Sequence, residues 1–313
     1  MARLNLEALS ELLKAWRMKS VIVLEGGQVA AEWYDQKHDT IGPLYSCTKS
    51  ILSALFGIAL DKGYLNSVEQ PITEFLQHPP EISSTLGKIQ LKHLLTMTPG
   101  FDWPDFDKPY KTFRRAEDPI GFVFGQPIIS DPGTAFTYNS GGSHLLSSIL
   151  TKATGMTALQ FAKANLFEPL QFRSARWMER DGVNEGGTGM YLYGRDLAKI
   201  GVLFAQSGRW GNEQLLSPSW VQQSTSLHHR GLIQYEPPIY GGYGYHWWHS
   251  PESHNGHTDC YFAFGHGGQY LLISPRLGLV IVIRKQVTKR NDAIFSKRLI
   301  FEHIVPAFKE PME

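Results

Sequence analysis

Ser46 and Lys49 stand three residues apart in PLYSCTKSILSALFG, directly ahead of an apolar run over residues 51–60. On a helix this spacing puts both side chains on one face. A serine hydroxyl is a poor nucleophile until a neighbour takes its proton. A lysine can do this only as the neutral amine, a state that burial and a nearby positive dipole favour. The positive end of the following helix would act on both groups, disfavouring the ammonium and favouring the negative charge that develops on attack. The same tetrapeptide also reads as an ordinary helix start with a serine near its cap. Taken alone, the pair leaves both readings open.

Two further clusters carry chemically useful groups. In FTYNSGGSHLL, Tyr138 and Ser140 sit in a loop ahead of a helical pattern, and a tyrosine hydroxyl beside a lysine relays protons to a leaving group. In AFGHGGQYLLIS, His266-Gly267-Gly268 leads into a strand, and the glycines would let a substrate approach the backbone. Gln269 then offers an edge N–H that, with the N–H of Ser46, would form an oxyanion hole. Each cluster alone equally describes a half-buried loop tyrosine or a glycine turn. Cys47 follows the serine, but it points off the Ser46–Lys49 face, so a packing role is expected rather than a reactive thiol. Residues 228–266 are histidine-rich, with His246-x-x-His249 and His254-x-x-His257. That spacing fits no standard metal site. The expected arrangement is a cleft rim of Trp247, Trp248 and other aromatics, with the histidines on a polar loop.

The elements that must hold these groups follow from periodicity. Leu6, Leu9, Leu12, Leu13 and Trp16 give the N-terminal stretch an amphipathic helical pattern, and Glu7 and Glu11 interrupt any signal-peptide core. Residues 21–25 and 28–34 read as a hairpin turning at Gly26-Gly27. The helix after Ser46 ends at Gly63. Helical patterns alternate with Pro/Gly-rich loops from about 65 to 230. Strand character returns in YFAFG, QYLLISP and LGLVIVIRK, and a last helix is expected over 291–307. Strands near both ends and helices between them predict an α+β (mixed) fold. In it, an antiparallel sheet built from both ends of the chain is flanked by helices and joined by an all-helical lobe. The expected division of a single domain over 1–313 is an α/β lobe of about 1–45 and 235–313 and a helical lobe of about 46–234.

Composition narrows the partners. With 42% hydrophobic residues the chain can fill a large core, and its formal net charge of +1 comes without a basic run. That argues against nucleic acid or an anionic membrane as partner. The two cysteines are too few for a disulfide framework, and no stretch reaches the length of a membrane span. A cytoplasmic location is the resulting expectation.

The three clusters together form an ordered set: Ser-x-x-Lys at a helix start, Tyr-x-Ser at a loop, and His-x-Gly at a strand. In this the chain resembles the serine β-lactamase-like family of class C β-lactamases, D-Ala-D-Ala peptidases and other penicillin-binding proteins, related esterases and 6-aminohexanoate-dimer hydrolases. The stretches IQLKHLLTMTPGFDW, YLYGRDLAKIGVLFAQSGRW and GYGYHWW extend the likeness over about residues 20–284. The resemblance implies the β-lactamase/transpeptidase-like fold. It makes Ser46 the acylated nucleophile, Lys49 its general base, Tyr138 a member of the proton relay, and His266 the residue opening the third motif. Gln269 would supply the second oxyanion donor, beside Ser140, Gly267 and Gly268 as substrate-binding positions. No metal or other cofactor is required. Ser140 stands where many relatives have Asn, and Gly267 where Thr or Ala is usual. Both departures lean the expectation toward a serine esterase or amidase acting on small esters or amides. A β-lactamase or D-Ala-D-Ala carboxypeptidase is the alternative, and a penicillin-recognising module without turnover is the second.

Overall fold

The computed structural model describes residues 4–77, 83–103, 108–232, 239–288 and 293–309. Its centre is an antiparallel sheet of eight strands: β1 (Met18–Glu25), β2 (Gln28–Tyr34), β3 (His229–Arg230), β4 (Gly242–Tyr243), β5 (Trp248–Ser250), β6 (Cys260–Gly265), β7 (Gln269–Ser274) and β8 (Leu279–Lys285). The order across the sheet is β3-β4-β5-β6-β7-β8-β1-β2, so the first hairpin completes a sheet otherwise made from the last third of the chain. Gly26 and Gly27 both take positive φ at the β1–β2 turn, as the hairpin reading requires.

Both faces of this sheet are covered, which is why its strands read as nearly unbroken apolar runs. Ile22, Leu271, Ile273, Val280 and Val282 face one core, which they share with helices of the chain's middle. Val21, Val23, Leu272, Ile281 and Ile283 alternate onto a second core against Leu13, Leu299, Ile300 and Ile304 of the terminal segments. Five helices matter below: α1 (Ser10–Ala15), α2 (Thr48–Asp61), α3 (Ser140–Thr154), α4 (Gly194–Ala205) and α5 (Ala293–Arg298). The helix expected over 291–307 begins, within the described residues, at α5. It loosens into a π-type stretch over Leu299–Ile304 before Val305–Phe308. Pro306 lacks the N–H that a regular ladder needs and crowds the preceding turn, which accounts for the change of pitch. Residues 291 and 292 lie outside the described segments. Among the described residues no helix is long and apolar enough to cross a membrane.

Candidate active site

The turn before α2 carries Ser46. Tyr45–Cys47 forms a single 3-10 turn running straight into the helix, and Tyr45 takes a left-handed φ of 49°. A tyrosine in that region is strained, so neighbours must fix it. The Thr48 hydroxyl donates to the Tyr45 carbonyl at 2.6 Å and accepts the Met190 N–H at 3.3 Å. The Leu44 N–H donates to the Met190 carbonyl at 2.9 Å, and Gly42–Pro43 pairs with Tyr191–Leu192. The short strand Met190–Leu192 thus clamps the turn.

Lys49, the second residue of α2, is 1% exposed. Its Nζ lies 2.8 Å from the Gly187 carbonyl, 3.0 Å from Ser140 Oγ and 3.2 Å from Ser46 Oγ. The half-buried Ser46 and the buried lysine therefore meet on one helix face, as their spacing predicts. Nζ also sits 4.9 Å from the centre of the Tyr138 ring, within cation–π range. Tyr138 is itself held by stacking on Trp248, with ring centres 5.7 Å apart. Asn139, between Tyr138 and Ser140, caps α3 by accepting the Gly142 N–H at 2.7 Å. Ser140 is consequently the first helical residue, and its hydroxyl faces Lys49.

Gly187 is the contact that sequence reasoning missed. The EGGTGM loop passes so close to α3 that a Cβ at Gly186 would lie 1.9 Å from the Ser143 carbonyl. One at Gly187 would lie 2.9 Å from Ser140 Cβ. The doubled glycine was a visible signal, but nothing local connected it with a lysine 138 positions upstream. His246 was also missed in this role. Its Nε2 is 2.9 Å from the Ser143 hydroxyl, its carbonyl accepts the Ser50 hydroxyl at 2.6 Å, and its Nδ1 is buried with no partner among the described residues. Burial first, and the Lys49 charge second, hold its imidazole well below the ordinary range.

The third cluster occupies the β6–β7 turn. His266 is exposed there, and its ring meets the Tyr45 ring edge-on at 5.7 Å. Gln269 opens β7, and its carbonyl accepts the Cys47 thiol at 3.6 Å, so this strand end abuts the turn that carries Ser46. Its side-chain amide is occupied in bonding both ways with the Lys285 backbone, at 2.9 and 3.0 Å. Gly267 and Gly268 are buried at φ 77° and 98°. A Cβ on Gly267 would meet Val287 at 2.3 Å, and one on Gly268 would meet Ser296 Oγ at 2.5 Å. Their missing side chains make room for these packing neighbours, α5 included, whereas the sequence pointed to room for a substrate.

Cys47 is fully buried and burial pushes its thiol up, in keeping with a packing role. The expected aromatic rim is corrected. Trp247 is completely buried against Phe204, and Trp248 is 4% exposed beneath Tyr138. The neighbouring histidines do not share one polar loop either: His246 is interior, His228 stacks on Tyr245 at 4.3 Å, and His229 stacks on Phe136. His93 accepts the Gln90 N–H at a helix start, a structural role.

Among curated proteins, the chain is 24% identical over 307 residues to the 6-aminohexanoate-dimer hydrolase of Paenarthrobacter ureafaciens, covering 89% of this chain and 75% of that one. Among solved structures, it resembles the octameric penicillin-binding protein homologue from Pyrococcus abyssi. The TM-score there is 0.73 at 16% identity, over 95% of this chain and 77% of the other. It also resembles EstCE1, a hydrolase with promiscuous acyltransferase activity, with a TM-score of 0.77 at 14% identity over 96% and 97% of the two chains. These likenesses agree with the mixed fold and its antiparallel sheet. The sequence model of the Beta-lactamase family matches residues 17–303, nearly the whole chain and every element of the site, and the protein belongs to that family.

Proposed function

We propose that the protein is a serine hydrolase that forms an acyl-enzyme at Ser46, with Lys49 as general base, and acts on small esters or amides. The observation that carries this reading is the set of oxygens around Lys49 Nζ. A neutral amine has two N–H donors and one lone pair. The Gly187 carbonyl has no proton to give, so it takes one N–H. The Ser140 hydroxyl accepts the second at 3.0 Å. With the lone pair turned toward the Ser46 hydroxyl, 3.2 Å away, the amine would have the orientation that proton removal from the nucleophile needs.

Attack by Ser46 Oγ on the substrate carbonyl forms the C–O bond as its proton passes to Lys49. The developing oxyanion faces the N–H groups of Ser46 and Gln269, the latter supported by the contact between the Gln269 carbonyl and Cys47. Tyr138, beneath Lys49, relays the proton to the leaving group, and water then hydrolyses the acyl-enzyme. His266, at the mouth against Tyr45, borders the substrate rather than the lysine. The preference for esters and small amides rests on Ser140, whose short hydroxyl is taken up by Lys49 and lacks the paired donor and acceptor of an asparagine.

Steady-state assays on p-nitrophenyl esters, small amides and nitrocefin test the proposal. Expected are measurable ester turnover, slower or no nitrocefin hydrolysis, and loss of turnover by at least about a thousandfold in Ser46→Ala. Undiminished activity in Ser46→Ala overturns it.

A further inference from the structure

A cleft of about 400 Å³ lies where the end of β8 meets the start of β1 and the Gly42–Pro43 strand. Lys19, Arg284 and Lys285 line it, and no carboxylate among the described residues does. The nearby acids are already engaged. Asp35 takes the Lys19 ammonium at 2.6 Å. Asp39 accepts Arg173 Nη2 at 2.6 Å and the N–H groups of Gly194 and Arg195 at 3.0 and 2.9 Å, and it reaches Arg284 Nη1 only at 3.5 Å. One carboxylate shared by two guanidiniums under-compensates Arg284, which is 4% exposed. Its Nε is buried with no partner among the described residues, although Nη1 also donates to the Thr40 carbonyl. Gly42 makes the arrangement possible, since a Cβ there would fall 2.0 Å from Arg284 Nη2. Burial lowers the guanidinium from its ordinary value, and Asp39 offsets only part of that.

We propose that this cleft is a binding site for a small organic carboxylate. The planar guanidinium of Arg284 suits a carboxylate's two oxygens, and the Lys285 ammonium adds charge beside it, while Lys19 is already paired with Asp35. Ile41 and Val287 give the same cleft apolar wall, which fits a short carbon skeleton better than a bare inorganic anion. Tyr45 and Gln269 also line the cleft, so it lies beside Ser46, but binding needs no step at the serine.

Isothermal titration of the full-length protein at low ionic strength tests this, with glutarate, its neutral diamide and inorganic phosphate as probes. Glutarate is expected to saturate a single site, with the diamide and phosphate each weaker by about tenfold or more. Ser46→Ala should bind glutarate as the parent does, which separates this site from the proposed hydrolysis. Gln36→Glu places a competing carboxylate at the exposed mouth, and Lys19→Glu reverses one lining charge. Each should weaken glutarate by about tenfold without loss of the folded thermal transition. Absence of saturable glutarate binding, equal binding by the diamide, or unchanged affinity in both charge variants overturns the proposal. Phosphate binding as tight as glutarate overturns the organic class of the ligand.

Discussion

The Gly186-Gly187 loop and the Gly267-Gly268 turn both adjoin the Ser46–Lys49 pair, and both exist because side chains would not fit. At the first, the absent side chains let a backbone carbonyl reach Lys49 while the loop presses on α3. At the second, they let the turn pack under Val287 and α5, with Gly268's carbonyl accepting the Ser296 hydroxyl at 2.8 Å. One pair bears on Lys49 and the other on the strand end that holds Gln269. A doubled glycine therefore reports close backbone approach, and its chemical meaning depends on what is approached.

Substitution at each pair separates the two roles. Of the two, Gly187→Ala should have the larger effect on turnover, about a hundredfold in kcat/KM, because a displaced carbonyl no longer holds the Lys49 amine toward Ser46. Gly267→Ala should instead cost about 2 kcal/mol of stability, from a left-handed φ and overpacking on Val287. Its kcat/KM per folded molecule should change by less than about threefold, measured alongside urea unfolding. A Gly267→Ala enzyme that stays stable but loses turnover would reverse the comparison.

The Gly186-Gly187 side also carries acid sensitivity. His144, beside that loop and 3% exposed, is held down to about 4, by burial first and by Arg180 second, against an ordinary value of 6.5. Between those values the unfolded chain binds the proton and the folded chain does not, so stability falls as pH drops from 6.5 toward 4. The loss should reach about 2 kcal/mol near pH 5, seen as a falling urea midpoint. His144→Gln should flatten that fall, and an equal slope in the variant would remove His144 as its source. A smaller loss of turnover than in Gly187→Ala is expected for Ser140→Ala, about tenfold in kcat/KM, since Lys49 loses one neutral acceptor and keeps the Gly187 carbonyl.

Ser46 and Lys49 were legible because their relation is local: three residues on one helix fix the shared face before any tertiary contact forms. Tyr138 and Ser140 were legible as types and positions, but not the division of labour that gives the cap to Asn139 and turns Ser140 toward Lys49. Gly187 was not legible, since a carbonyl has no side-chain signature and its partner lies far away in sequence. Trp247 and Trp248 were misplaced on the rim because apolar character does not say which surface a residue meets. The long strands of the sheet were plain from their composition. The two- and three-residue strands β3, β4 and β5 were not, being too short to show alternation.

The central claim is that the Lys49 amine activates Ser46. Intact mass and peptide mapping after a fluorophosphonate, on the parent, Ser46→Ala and Lys49→Met, test it most directly. The account predicts one adduct on the peptide containing Ser46, none in Ser46→Ala, and labelling slowed by about a thousandfold in Lys49→Met. Labelling at another residue, or undiminished labelling in Lys49→Met, would contradict it.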